Sequence, residues 1–197
     1  MNDLLKSVDL KDGNVLEIYY DSDARSPRED DEGLIGIMAA FHNNYSLTDS
    51  NVPFNAKQFE GWNEMEDYIK GTLKSVACLP LYMYSHSGIT IKTSPFSCNW
   101  DSGQIGFIYT TAKHLSKIGV NMTDDEDWAG YVKRVTEYME SEVNTFDEYV
   151  KGEVFGFQVK DSEGEDVNSC WGFYGSDFKT NGILEHVESE PVNLDDL

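Results

Sequence analysis

The sequence predicts an α+β fold: a mainly antiparallel sheet packed with one long amphipathic helix and shorter helices. Three observations carry this expectation. Short runs rich in β-branched and aromatic residues recur along the chain, bounded by Gly, Pro, Asn and Asp. One stretch, 123–150, keeps a 3–4 apolar rhythm throughout. Strands and helices follow one another without the regular alternation of a parallel βαβ sheet.

The elements follow in order. Asn14–Asp21 comes after a glycine and reads as a strand, and 23–32 as a polar, Pro-containing loop. Leu34–His42 is a short apolar run, read as a buried strand, and Asn43–Asn55 as a loop. In 62–74, Trp62, Met65, Ile69 and Leu73 share one helical face. Val76–Tyr84, Gly88–Thr93 and Ile105–Thr111 read as strands, with Pro80 placing the first at an edge or delaying its start.

The helix at 123–150 is expected to open on a capping box, Thr123-Asp-Asp-Glu126, and to pack Trp128, Val132, Val135, Met139 and Phe146 on the sheet. Glu153–Lys160 and Asp166–Tyr174 flank a Gly-containing turn and predict a hairpin. A short last helix is expected within 177–188. The expected organisation is a single domain over 1–188 and a flexible acidic tail over 189–197.

Charge gives the strongest functional clue. The chain of 197 residues carries 36 acidic and 15 basic side chains, a formal net charge of −21. Residues 1–35 hold −6, 121–160 hold −6 and 161–197 hold −9, while 36–120 are neutral. Halophilic acidity would be spread over the whole chain. A field of this sign repels nucleic acid and anionic membrane and attracts basic surfaces. Hydrophobic residues make up 40% and aromatics 13%, enough for a packed core rather than global disorder. There is no apolar run of membrane-spanning length, and the start of the chain has no secretory pattern. Cys78, Cys98 and Cys170 are odd in number and lack CxxC spacing, as expected of reduced thiols in a bacterial cytoplasm.

Chemistry-bearing residues concentrate at 79–109. A nucleophile built from His86 and Cys98, with Asp101 orienting the imidazole, is one reading. Turn-building polar residues and a small packed thiol are the other, and no catalytic residue is expected on that reading. The histidines and cysteines show no zinc-like spacing, Asp161–Asp166 lacks the pattern of an EF-hand loop, and there is no phosphate-cradling glycine loop. No metal or cofactor is therefore expected.

The stretches Asp23-Ala-Arg-Ser-Pro-Arg-Glu-Asp30, His86-Ser-Gly-Ile-Thr-Ile91, Pro95-Phe-Ser-Cys-Asn-Trp-Asp-Ser-Gly-Gln-Ile-Gly-Phe-Ile-Tyr109 and Ser169-Cys-Trp-Gly-Phe-Tyr-Gly175 resemble a family of acidic proteins of phages, prophages and plasmids. The resemblance covers about 14–188, with Asp30 where the family pattern has Trp. It implies a mobile-element origin and carries over no catalytic residue.

Together these readings lead to an anti-defence inhibitor of anti-CRISPR or antirestriction type. Its expected partner is a host nuclease or other basic nucleic-acid-binding protein, not nucleic acid or membrane. The expected contact residues are Asp124, Asp125, Asp127, Glu137, Glu140, Asp147, Glu148, Glu163, Glu165 and Asp166, with Glu142 in the same row of acids. The alternatives are an enzyme or small-ligand protein using His86, Cys98 and Asp101, and an accessory interaction module without DNA mimicry.

Overall fold

A computed structural model describes residues 3–29, 33–98 and 100–197; the expectations that touch Asp30 and Asn99 lie outside these. The fold is α+β with two four-stranded antiparallel sheets, and it divides into two compact units, 1–26 with 148–197 and 27–147. The strands are β1 (Leu4–Asp9), β2 (Val15–Tyr20), β3 (Ile37–Ala40), β4 (Ser75–Ser85), β5 (Ile89–Lys92), β6 (Ser102–Thr111), β7 (Val154–Lys160) and β8 (Asp166–Tyr174). The helices are α1 (Trp62–Asp67), α2 (Ala112–Lys117) and α3 (Trp128–Lys151). No helix among the described residues is long and apolar enough to cross a membrane.

The smaller unit is built on the order β1-β2-β7-β8. Its inner face carries Leu16 and Ile18 opposite Val159 and Phe157, with Phe155 paired to Phe173. Phe178 and Ile183 complete that core. On the other face Gly156 lies under Trp171, and a Cβ there would sit 2.0 Å from the indole, so only glycine fits. The tail is bound rather than loose: Lys11 N–H donates to Glu190 O, Val192 N–H donates to Asp9 O, and Leu197 packs against the core. Within 177–188 only a single 3₁₀ turn forms, Ile183–His186. Gly182 just before it takes a φ of 98°, which ends any longer helix.

The larger unit is built on β3-β6-β4-β5. One face carries Ile37, Ala39, Phe107 and Tyr109, packed with Phe54, Met65 and Ile69. The predicted helix over 62–74 is present as α1 followed by a π-helical turn, Tyr68–Thr72. Pro80 falls in the part of β4 that pairs only with β6, because β5 pairs only with Tyr82–Ser85; a missing N–H is tolerated there.

The other face of this sheet carries α3. A Cβ on Gly36 would meet both Ile108 Cδ1 (2.4 Å) and Glu142 Oε2 (3.1 Å), so the helix lies on the Ile108 side. Val135, Met139 and Val143 are fully buried along it. The helix starts at Trp128, not Thr123. Asp127 caps it: its Oδ1 accepts Gly130 N–H at 2.8 Å. Thr123–Glu126 forms a separate turn, in which Glu126 accepts Thr123 N–H and is held by Arg134. Trp128 is 59% exposed, with its ring tilted against Tyr131, so it is not part of the buried face. The helix ends in a Schellman motif: Gly152 (φ 76°) donates to Tyr149 O and Glu153 donates to Glu148 O.

Candidate functional site

The acids divide into those that build the protein and those that face solvent. Glu142 belongs to the first group. Its carboxylate accepts Ile35 N–H at 2.5 Å and Gly36 N–H at 2.9 Å, and Arg28 Nη1 lies 3.7 Å away. Burial pushes its pKa up, against the pull of the two N–H groups and Arg28. Arg28 makes a bidentate pair with Asp49 (2.8 and 2.6 Å) and donates to Gly36 O at 2.7 Å. Asp49 Oδ2 also accepts Met38 N–H. The Arg28 and Asp49 side chains are 5% and 3% exposed. Sequence reasoning missed this network, because its partners lie far apart along the chain.

Asp147, expected on the acidic surface, is a correction. It is 9% exposed and accepts Ile91 N–H at 2.6 Å. A buried strand N–H needs a partner, and this carboxylate supplies it. Glu148 is half-buried in the last turn of α3, so it too departs from the expected open row. Glu126 is held by the Arg134 guanidinium at a pKa of about 2.

The remaining expected contacts are at the surface. Asp124, Asp125 and Asp127 share the turn before α3. Glu137 and Glu140 are exposed on one face of the helix, with Lys133 beside Glu137 at 3.7 Å. Glu163 and Glu165 are exposed in the β7–β8 turn, whose backbone is built by Asp161: its Oδ1 accepts both of their N–H groups. Asp166 is exposed and lies 3.6 Å from Lys160.

The larger finding is one of assembly. The antiparallel pairing of β2 with β7 joins the β1–β2 and β7–β8 hairpins and brings the two acidic ends of the sequence into the smaller unit, which holds 18 acids and six Lys or Arg. Thirteen of those acids are exposed and none is buried. The sequence reading counted most of them by segment but did not join the two ends.

The alternative site is an exposed turn. His86 Nδ1 lies 3.6 Å from Asp101 Oδ2, and the imidazole is 70% exposed. Asp101 O accepts Ser85 N–H and Cys98 O accepts the Ser102 hydroxyl. Among the described residues, no hydrogen bond or ion pair joins Cys98 to His86. Burial pushes the Cys78 thiol up to about 12. Cys98→Ser should leave the melting temperature and any inhibitory activity within error of the parent protein. Loss of activity in a folded Cys98→Ser variant would move the site to this turn.

No group of three or more His, Cys, Asp or Glu among the described residues is placed to hold a metal ion. No protein-family model, curated protein or solved structure matches the chain.

Proposed function

We propose that the protein is an acidic decoy of a phage or other mobile element, of the anti-CRISPR or antirestriction type, which occupies the basic nucleic-acid groove of a host nuclease. The observation that carries this reading is the smaller unit's surface, with 13 exposed acids against six bases in all. DNA offers about one negative charge per 1.7 Å of axis, and a groove shaped for that field attracts any surface with comparable charge density. The larger unit carries exposed acids of its own at 124, 125, 137 and 140, while its Glu142 and Asp147 are withdrawn into structural hydrogen bonds.

The test is protection in cells. Expression should restore plaques of a phage otherwise restricted by a CRISPR or restriction nuclease. One variant reverses Asp124, Asp125, Glu137 and Glu140 to Lys; a second reverses Glu163, Glu165, Glu188 and Asp196. Each should fold with a little-changed melting temperature, since exposed charges contribute little to stability. At least one should lose protection. In vitro, inhibition of the purified nuclease should weaken sharply between 0.1 and 0.5 M salt, as the screening length falls from about 10 Å toward 4–5 Å. Protection that survives both reversals, with salt-insensitive inhibition, would rule out mimicry.

A further inference from the structure

The sheet of the smaller unit has a second face, opposite its core. The strand register puts Leu4, Tyr19, Gly156 and Trp171 in one row across all four strands of that face. Two residues along, Glu17 lies in the next row, and Asp9, Lys160 and Asp166 lie in the one after. All of these are exposed or half-buried except Gly156, which the indole covers. The solvated face of an antiparallel sheet is ordinarily polar. Here one row is apolar and aromatic.

That row is built, not incidental. Trp171 and Leu4 remain 37% and 53% exposed although a sheet lies beneath them. The Tyr19 ring stands 6.1 Å from the indole, tilted by 42°. Its hydroxyl donates to Glu17 Oε2 at 2.6 Å, which places a carboxylate at the foot of the aromatic pair. The far row lies about 13 Å away, at four residues along the strand. It is acidic: Lys160 is shared between Glu17 and Asp166 at 3.6 Å each, so one ammonium serves the three carboxylates at 9, 17 and 166. Exposed Glu163 and Glu165 extend this end into the adjoining β7–β8 turn.

We infer that this face is the docking surface for the basic partner, and that an arginine of the partner's groove packs on Trp171 beside Tyr19 while further basic side chains meet the acidic row. This rests on the reading of the partner as a nucleic-acid-binding protein. Charge selects the occupant. A second copy would set one acidic unit against another, and nucleic acid would bring phosphates to the same field. A guanidinium matches both ends of the face: it stacks on aromatic rings and pairs with carboxylates through its planar fork. Exposed Trp and Tyr are also the side chains in which interface energy concentrates.

The test follows the indole N–H signals of the four tryptophans of the ¹⁵N-labelled full chain, with octa-arginine and octa-lysine peptides as probes at 0.15 M salt. Octa-arginine should move the Trp171 signal further than those of Trp62, Trp100 and Trp128, and should bind more tightly than octa-lysine of equal charge. Trp171→Leu, which keeps an apolar cover on Gly156, should weaken octa-arginine binding about fivefold or more. Trp100→Ala, at a more exposed indole of the larger unit, should change nothing. Circular dichroism on each variant separates lost binding from lost fold. In cells, Trp171→Leu should lose the protection that the parent chain gives. If the parent itself gives none, the decoy reading fails and the peptide titrations alone decide this surface. The inference is overturned if the Trp171 signal stays still, if octa-lysine binds as tightly as octa-arginine, or if folded Trp171→Leu binds octa-arginine or protects cells as the parent does.

Discussion

Replacing Arg28 with alanine should cost about 3–5 kcal/mol, the usual result of removing one partner from a buried ion pair. The cost comes from what is left behind. Asp49, 3% exposed, loses two charge-assisted hydrogen bonds, and Glu142 loses the guanidinium beside it. Gly36 O loses a donor as well. Thermal unfolding should fall by roughly 10 °C for a protein of this size. Arg28→Lys should recover only part of this, because an ammonium cannot reproduce the planar fork that meets both Asp49 oxygens. A melting temperature within a degree or two of the parent in Arg28→Ala would show that the network does not hold the larger unit together.

Gly106→Ala should be nearly as damaging, at about 3 kcal/mol or more, combining overpacking with backbone strain. Gly106 lies on β6 opposite Ala40, and a Cβ there would sit 1.9 Å from Ala39 O and 3.1 Å from Ala40 Cα. These are backbone atoms of a paired strand and cannot rotate away. The φ of 152° is also poorly tolerated by an L side chain. Chemical denaturation should show a lower midpoint, with Gly103→Ala, where a Cβ meets nothing within 4 Å, as the contrasting control. Equal midpoints for the two variants would contradict the pairing of β3 with β6.

Elements with local signals were legible in the sequence. The β7–β8 hairpin follows from strand composition, alternation and a glycine turn within 22 residues, and its boundaries differ from expectation by one residue at most. α3 follows from its apolar rhythm, though not its start. The Thr123-Asp-Asp-Glu126 pattern makes a turn of its own because Arg134 reaches back for Glu126, leaving Asp127 to cap. β1 was missed because it is an edge strand with only Val8 buried, so the apolar alternation that marks a strand is missing. α2 was missed because six residues are too few to show a helical period.

The candidate site divides in the same way. The exposure of Asp124, Asp125, Glu137, Glu140, Glu163 and Glu165 was readable from their polar surroundings. That of Asp147 was not: it sits on a helix among other acids, and its partner, Ile91 N–H, is 56 residues away. The same holds for Glu142, which serves Ile35 and Gly36 more than a hundred residues earlier.

By itself, then, the sequence determined the α+β class, the main periodic elements and a charge of −21 segregated toward the ends. These properties depend on local pattern and on composition. Only the tertiary structure decided which carboxylates are spent on buried N–H groups and Arg28, and which face water. It alone brought the two acidic ends into one unit, through the pairing of β2 with β7. Each of these depends on strand pairing between distant segments, and the hydrogen-bonding needs of a buried backbone group become visible only once its neighbours across the sheet are known.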